Sequence, residues 1–176
     1  TTCKGKATIV ALHGLGGSPG TWASLGVAAA QRGFVLVAPL GVGKSWNAGL
    51  CCGESLKQNR DDYGFLKKLI KKVSAKPAAG IGFSNGGIMV TKAADLFFAV
   101  APFSGYEYSV NSTSRPVILH HGDRDHVVRI RGCCPFRGQG CCCGIGEKWG
   151  RPCVDFSTFF SVGLRSTGAK DQHTFP

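Results

Sequence analysis

The feature that most constrains this chain is a series of short, almost purely apolar runs separated by amphipathic stretches. Residues 7–12, 34–38, 79–83, 97–103 and 117–120 read as five strands, and 159–164 as a sixth. Strands that are apolar on both faces belong in a parallel sheet covered on each side, and parallel neighbours need crossover segments between them. The intervening stretches supply these as helices: one near 20–31, one opened by Asp61-Asp62 and ending about Val73, and one from Asn85 to about Ala94. In the second helix, Phe65, Leu66, Leu69, Ile70 and Val73 complement Lys67, Lys68, Lys71 and Lys72 at helical spacing. The densest basic patch is therefore the solvated face of an amphipathic helix. Asp61-Asp62 can cap that helix and complement its dipole.

A length of 176 residues suits one domain, read here as 1–176. Apolar residues at 43% and charged residues at 18% exclude a disordered chain. No apolar run approaches the roughly 18 residues of a membrane span. Lysine and arginine outnumber acids by 21 to 10, a balance that favours anionic surfaces or polymers. Nucleic acid is not an expected partner, because neither aromatic RNA-binding motifs nor a finger pattern occurs. Nine cysteines, with no C-x-x-C pair, argue against a zinc ribbon or thioredoxin site. They suit an oxidising compartment with several disulfides and a leftover thiol. The sequon Asn111-Ser112-Thr113 also suits secretion. Residues 131–153, crowded with glycine and cysteine, read as a disulfide-tied loop, and if Cys51-Cys52 and its 133–143 cluster lie in neighbouring loops over the active site they are expected to be disulfide-linked to one another.

The chemistry concentrates where the runs end. Gly82-Phe83-Ser84-Asn85-Gly86 follows a strand and opens a helix, a setting in which flanking glycines let a sharp turn lift a serine hydroxyl above the sheet. Serine alone is a poor nucleophile and needs a base and an orienting acid. The acid should follow a later strand and the base should come last. Asp125 is the candidate acid, with Asp123 second, and His173 is the candidate base. An oxyanion hole would use the backbone N–H of Asn85 and one from the loop after the first strand, assigned to Leu15. His13 is expected to brace that loop. Gly43-Lys44-Ser45 fails as a phosphate-binding loop because Ala38 stands where its first glycine belongs. Gly14-x-Gly16 fails as a dinucleotide fingerprint at Pro19.

Together these blocks resemble the extracellular polyhydroxybutyrate depolymerase and feruloyl-esterase group of α/β-hydrolases. The resemblance rests on Leu12-His13-Gly14, Ser45-Trp46-Asn47-Ala48-Gly49 followed by Cys51-Cys52-Gly53, and Asp61-Asp62-Tyr63-Gly64-Phe65. It continues through Gly82 to Gly87, His121-Gly122 with Asp125, and His173-Thr174-Phe175-Pro176. It implies a three-layer α/β-hydrolase sandwich with a mostly parallel central sheet, here reduced in size. It implies a Ser84-Asp125-His173 triad, with Trp46 and Asn47 as substrate contacts, the alternative for Trp46 being a packing anchor. It also implies a secreted esterase acting on a polyhydroxyalkanoate-type polyester or a feruloyl-type ester, without metal or cofactor. Three features depart from the group, the first being a chain shorter than is typical of it. The 131–153 stretch replaces a helix, and Asp171-Gln172 precede His173 where the family has paired glycines. The rival readings are a non-catalytic binding domain on the same fold, or a thioesterase or peptidase with the same machinery.

Overall fold

In the computed structural model the described residues are 6–49, 51–74, 76–105, 115–122, 124, 125, 127 and 128. Strands β1 (Thr8–Leu12), β2 (Val35–Val37), β3 (Ala79–Phe83) and β4 (Ala99–Phe103) form one sheet in the order β2-β1-β3-β4. All three pairings are parallel. Register places Leu12 opposite Gly82, and Gly82 opposite Pro102. The fifth apolar run lies parallel beside β4 through two bridges, Val100 to Val117 and Phe103 to His120. It extends the sheet as a thinly paired edge. The sixth run and the 131–153 loop lie outside the described residues.

The apolar runs behave as buried parallel strands should. In β1, Thr8, Val10 and Leu12 are buried on one face and Ala11 on the other, so the strand is covered from both sides. The helices are α1 (Ala23–Gln31), α2 (Glu54–Lys57), α3 (Asp62–Val73) and α4 (Asn85–Lys92). A 3-10 turn over Pro19–Trp22 precedes α1, so the expected helix begins tightly wound, with proline's fixed φ at its start. Asp61 caps α3 by accepting the Gly64 N–H at 2.8 Å. Leu66 of α3 joins Val10, Leu12, Trp46, Met89 and Phe97 in the core cluster.

Helix α4 packs against β1, β3 and β4, and Asn85 through Thr91 are all buried. Strand β4 starts two residues later than the apolar run. Phe97 closes a 3-10 turn on Ala94 O (3.1 Å) and buries its ring, so it serves packing between the elements rather than the ladder. The 3-10 turn Val42–Lys44 and α2 were not foreseen, since neither carries a periodic apolar stripe.

Candidate active site

The carboxyl end of β3 passes into α4 through one residue, Ser84, with φ 51° and ψ −119°. This region is unfavourable for a residue with a Cβ, and such strain collects at functional sites. The turn is tight enough that a Cβ on Gly82 would strike Gly86 O, and one on Gly86 would strike Leu12 O. These contacts explain physically why glycine flanks the serine. Ser84 N donates to Phe103 O (2.8 Å) and Ile88 N donates to Ser84 O (3.0 Å), pinning the turn to β4 and to its own helix. Ser84 itself is half-buried.

Two backbone walls flank it. Asn85 is the first residue of α4, where an N–H has no carbonyl partner within the helix. Its side chain is fully buried and works inward: Oδ1 accepts Trp46 N (2.7 Å), and Nδ2 donates to Trp46 O and Cys51 O, each at 3.0 Å. The other wall is the loop after β1, where Gly17 N donates to Gly14 O (3.0 Å) and Gly16 N to Lys44 O (2.8 Å). Leu15, half exposed, sits in that turn. Beneath it His13 is fully buried. Its Nε2 accepts Gly41 N (3.1 Å), which leaves Nδ1 to donate to Gly14 O (2.8 Å). Both ring nitrogens are thus committed to the backbone, and His13 braces the loop.

Asp125 lies in the turn beyond the fifth run. Its Oδ1 accepts the N–H groups of Val127 and Val128, each at 2.9 Å, and its Oδ2 faces His121 Nε2 at 3.6 Å. His121 is a neighbour of the acid that sequence reading left unassigned, although its i, i+4 spacing from Asp125 was visible. His173, Asp123 and His126 lie outside the described residues.

Trp46 corrects an expectation. It is not presented to substrate: its exposure is 0%, its Nε1 donates to His13 O (2.9 Å), and its ring packs between His13 and Phe65. It is a packing anchor. Asn47 is half-buried, and its Nδ2 is spent on Arg60 O (2.8 Å) within the same loop. Cys51 and Cys52 are a second correction. They are bonded to each other, so neither is available to the 133–143 cluster, which lies outside the described residues. Sequence reading also missed a buried polar chain under this loop. Asp62 Oδ2 accepts Asn47 N and Ser55 Oγ, Ser55 N donates to Ser45 Oγ, and Ser45 Oγ donates to Val42 O.

Among the described residues no cluster of histidine, cysteine or acidic side chains is arranged to hold a metal, and no helix is long and apolar enough to cross a membrane. No family model matches the sequence, and no curated protein matches it significantly. Solved structures do match. Esterase PE8 superposes with a TM-score of 0.55 at 22% identity, over 72% of this chain and 73% of its own. A protein of Xanthomonas campestris pv. campestris, assigned to the α/β superfamily of hydrolases, superposes with a TM-score of 0.52 at 15% identity, over 70% and 75%. At such identities the likeness concerns architecture: the chain has a reduced α/β-hydrolase fold built on an all-parallel sheet.

Proposed function

We propose that this chain is a serine carboxylic-ester hydrolase working through an acyl-enzyme. The observation that carries the reading is Ser84, held at φ 51° on a strand-to-helix turn at the carboxyl edge of the sheet. An ordinary helix-capping serine needs no such conformation and accepts an N–H of the first turn, whereas the Ser84 side chain makes no capping hydrogen bond. In this reading Ser84 Oγ attacks the ester carbonyl while His173 takes its proton, and Asp125 holds the imidazole in the correct tautomer. The Leu15 and Asn85 N–H groups stabilise the tetrahedral oxyanion. Collapse expels the alcohol, protonated by His173, and water then frees the acid by the same steps in reverse order of groups.

Support for an apolar acyl group comes from the rim. Phe83 and Leu15 are each about half exposed, and Phe83 lies against Gly14 beside Ser84. The substrate class is a hydroxyalkanoate polyester or a cinnamoyl ester, and the charge of +11 favours a polymeric, acidic or polyester surface. Secretion fits the cysteine content and the Cys51–Cys52 bond.

Labelling with a fluorophosphonate tests the reading. Stoichiometric labelling that is lost in Ser84→Ala is expected. A folded wild-type protein that takes no label would sink the reading and leave a non-catalytic domain. A panel of ester, thioester and amide analogues then separates an esterase from a thioesterase or peptidase.

A further inference from the structure

We propose that Trp46 is a positioning residue that fixes the separation between the two walls of the oxyanion hole; this rests on the serine-hydrolase reading above. Trp46 is the one residue bonded to both walls among the described contacts. Through Nε1 it donates to His13 O (2.9 Å), two residues before Leu15. Through its own backbone it makes a reciprocal pair with the Asn85 side chain, N to Oδ1 at 2.7 Å and O to Nδ2 at 3.0 Å. Asn85 carries the other amide.

The three residues are buried at 0% exposure, so no water competes for these bonds. The links are also stiff on each side. His13 is tied by both ring nitrogens, and Asn85 Nδ2 is shared with Cys51 O (3.0 Å). The indole is clamped between His13, with ring centroids 5.1 Å apart, and Phe65 at 6.4 Å. An oxyanion donor works only when it is preorganised at about 2.7–3.1 Å from the developing charge. Pairing of β1 with β3 sets the two loops side by side at Leu12 and Gly82, and beyond the ends of those strands Trp46 adds a hydrogen-bonded tie between them.

The test is Trp46→Phe, which keeps an aromatic ring in the slot and removes the indole N–H. The expected result is a fall in kcat of about tenfold to a hundredfold with KM within about twofold. Affinity for a trifluoromethyl ketone should fall in parallel, because Ser84 Oγ adds to that carbonyl and generates the same oxyanion. Fluorophosphonate should still label to completion, although more slowly. Should Trp46→Phe fail to fold, the benzothienylalanine isostere at position 46 replaces the N–H by sulfur and gives the same readouts. A folded variant with wild-type kcat and wild-type ketone affinity overturns the inference while leaving the esterase reading intact. A wild-type protein that takes no label brings both down.

Discussion

Asp62, the first residue of α3, receives the Ser55 hydroxyl at 2.5 Å, and the same carboxylate oxygen takes the Asn47 N–H at 2.6 Å. Asp62 and Ser55 are buried, at 5% and 0% exposure, so the Ser55 hydroxyl has no water as a substitute, whereas Asn47 is half-buried. Leaving a buried donor unpaired costs about 1–3 kcal/mol. Asp62→Ala strands that hydroxyl and also frees the part-buried Asn47 N–H, and should destabilise the fold by about 2–3 kcal/mol. Its neighbour Asp61 serves a single capping bond at an exposed helix start, so Asp61→Ala should cost only about 1 kcal/mol. Urea unfolding of the two variants checks this; equal midpoints would show that the buried chain is not holding the loop.

Ser84 stores strain that a chemical knock-out can release. Ser84→Ala and Ser84→Gly both remove the hydroxyl, and both should abolish ester turnover and labelling. They should differ in stability, because glycine adopts φ 51° without a Cβ clash whereas alanine keeps it. Strain of about 1–3 kcal/mol, less the added freedom of glycine in the unfolded chain, leaves Ser84→Gly about 1 kcal/mol the more stable. In a chain of this size that is about 3 °C in Tm. Calorimetry showing alanine equal to or above glycine would contradict the turn geometry.

What could be read from the sequence follows from which forces are local. The strands were legible because a parallel strand buried on both sides must be apolar almost continuously, and β1 and β3 fall within one residue of their runs. The elbow was legible because backbone atoms approach too closely there for any residue but glycine at 82 and 86. The choice between substrate contact and packing anchor for Trp46 was not legible, because its burial depends on His13 and Asn85, 33 and 39 residues distant, and nothing near it in sequence announces them. The doublet Asp61-Asp62 gave its cap away by position, but the buried role of the second carboxylate needs Ser55 folded back over it. The proposed base, His173, falls outside the described residues, so the Ser84-Asp125-His173 triad as a whole stays a proposal.

Cysteine adjacency shows the same limit, since spacing alone does not give connectivity. The Cys51–Cys52 bond lies within one tryptic fragment, 45–57, bounded by Lys44 and Lys57. Non-reduced mapping should find that peptide alone, lighter by two hydrogens and unmodified by alkylating reagent. Recovery of the peptide joined to any part of 133–143 would restore the pairing expected from sequence. Cys51 O also receives Asn85 Nδ2 and, at 3.2 Å, Ala48 N, so reduction should loosen the loop that holds Asn85. Turnover should then fall reversibly on mild reduction while fluorophosphonate stoichiometry is kept.

Tyr63 and Asp95 supply a pH signature of their own. The Tyr63 hydroxyl donates to Asp95 Oδ2 at 2.6 Å, joining α3 to the 3-10 turn Ala94–Leu96. This bond, with smaller contributions from burial and from the Asp95 charge, raises the phenol above its ordinary value of 10.0. Each effect disfavours the phenolate. The folded state therefore holds this proton more tightly than the unfolded chain. The stabilisation is complete below about pH 10 and is lost as pH rises through the folded value. Phenolate absorbance during alkaline titration should show one late tyrosine that disappears in Tyr63→Phe and moves earlier in Asp95→Asn. Unfolding midpoints for wild type and Asp95→Asn should differ at neutral pH and converge in strong alkali. A late tyrosine that survives Asp95→Asn unmoved would show that burial, and not the Asp95 hydrogen bond, sets its titration.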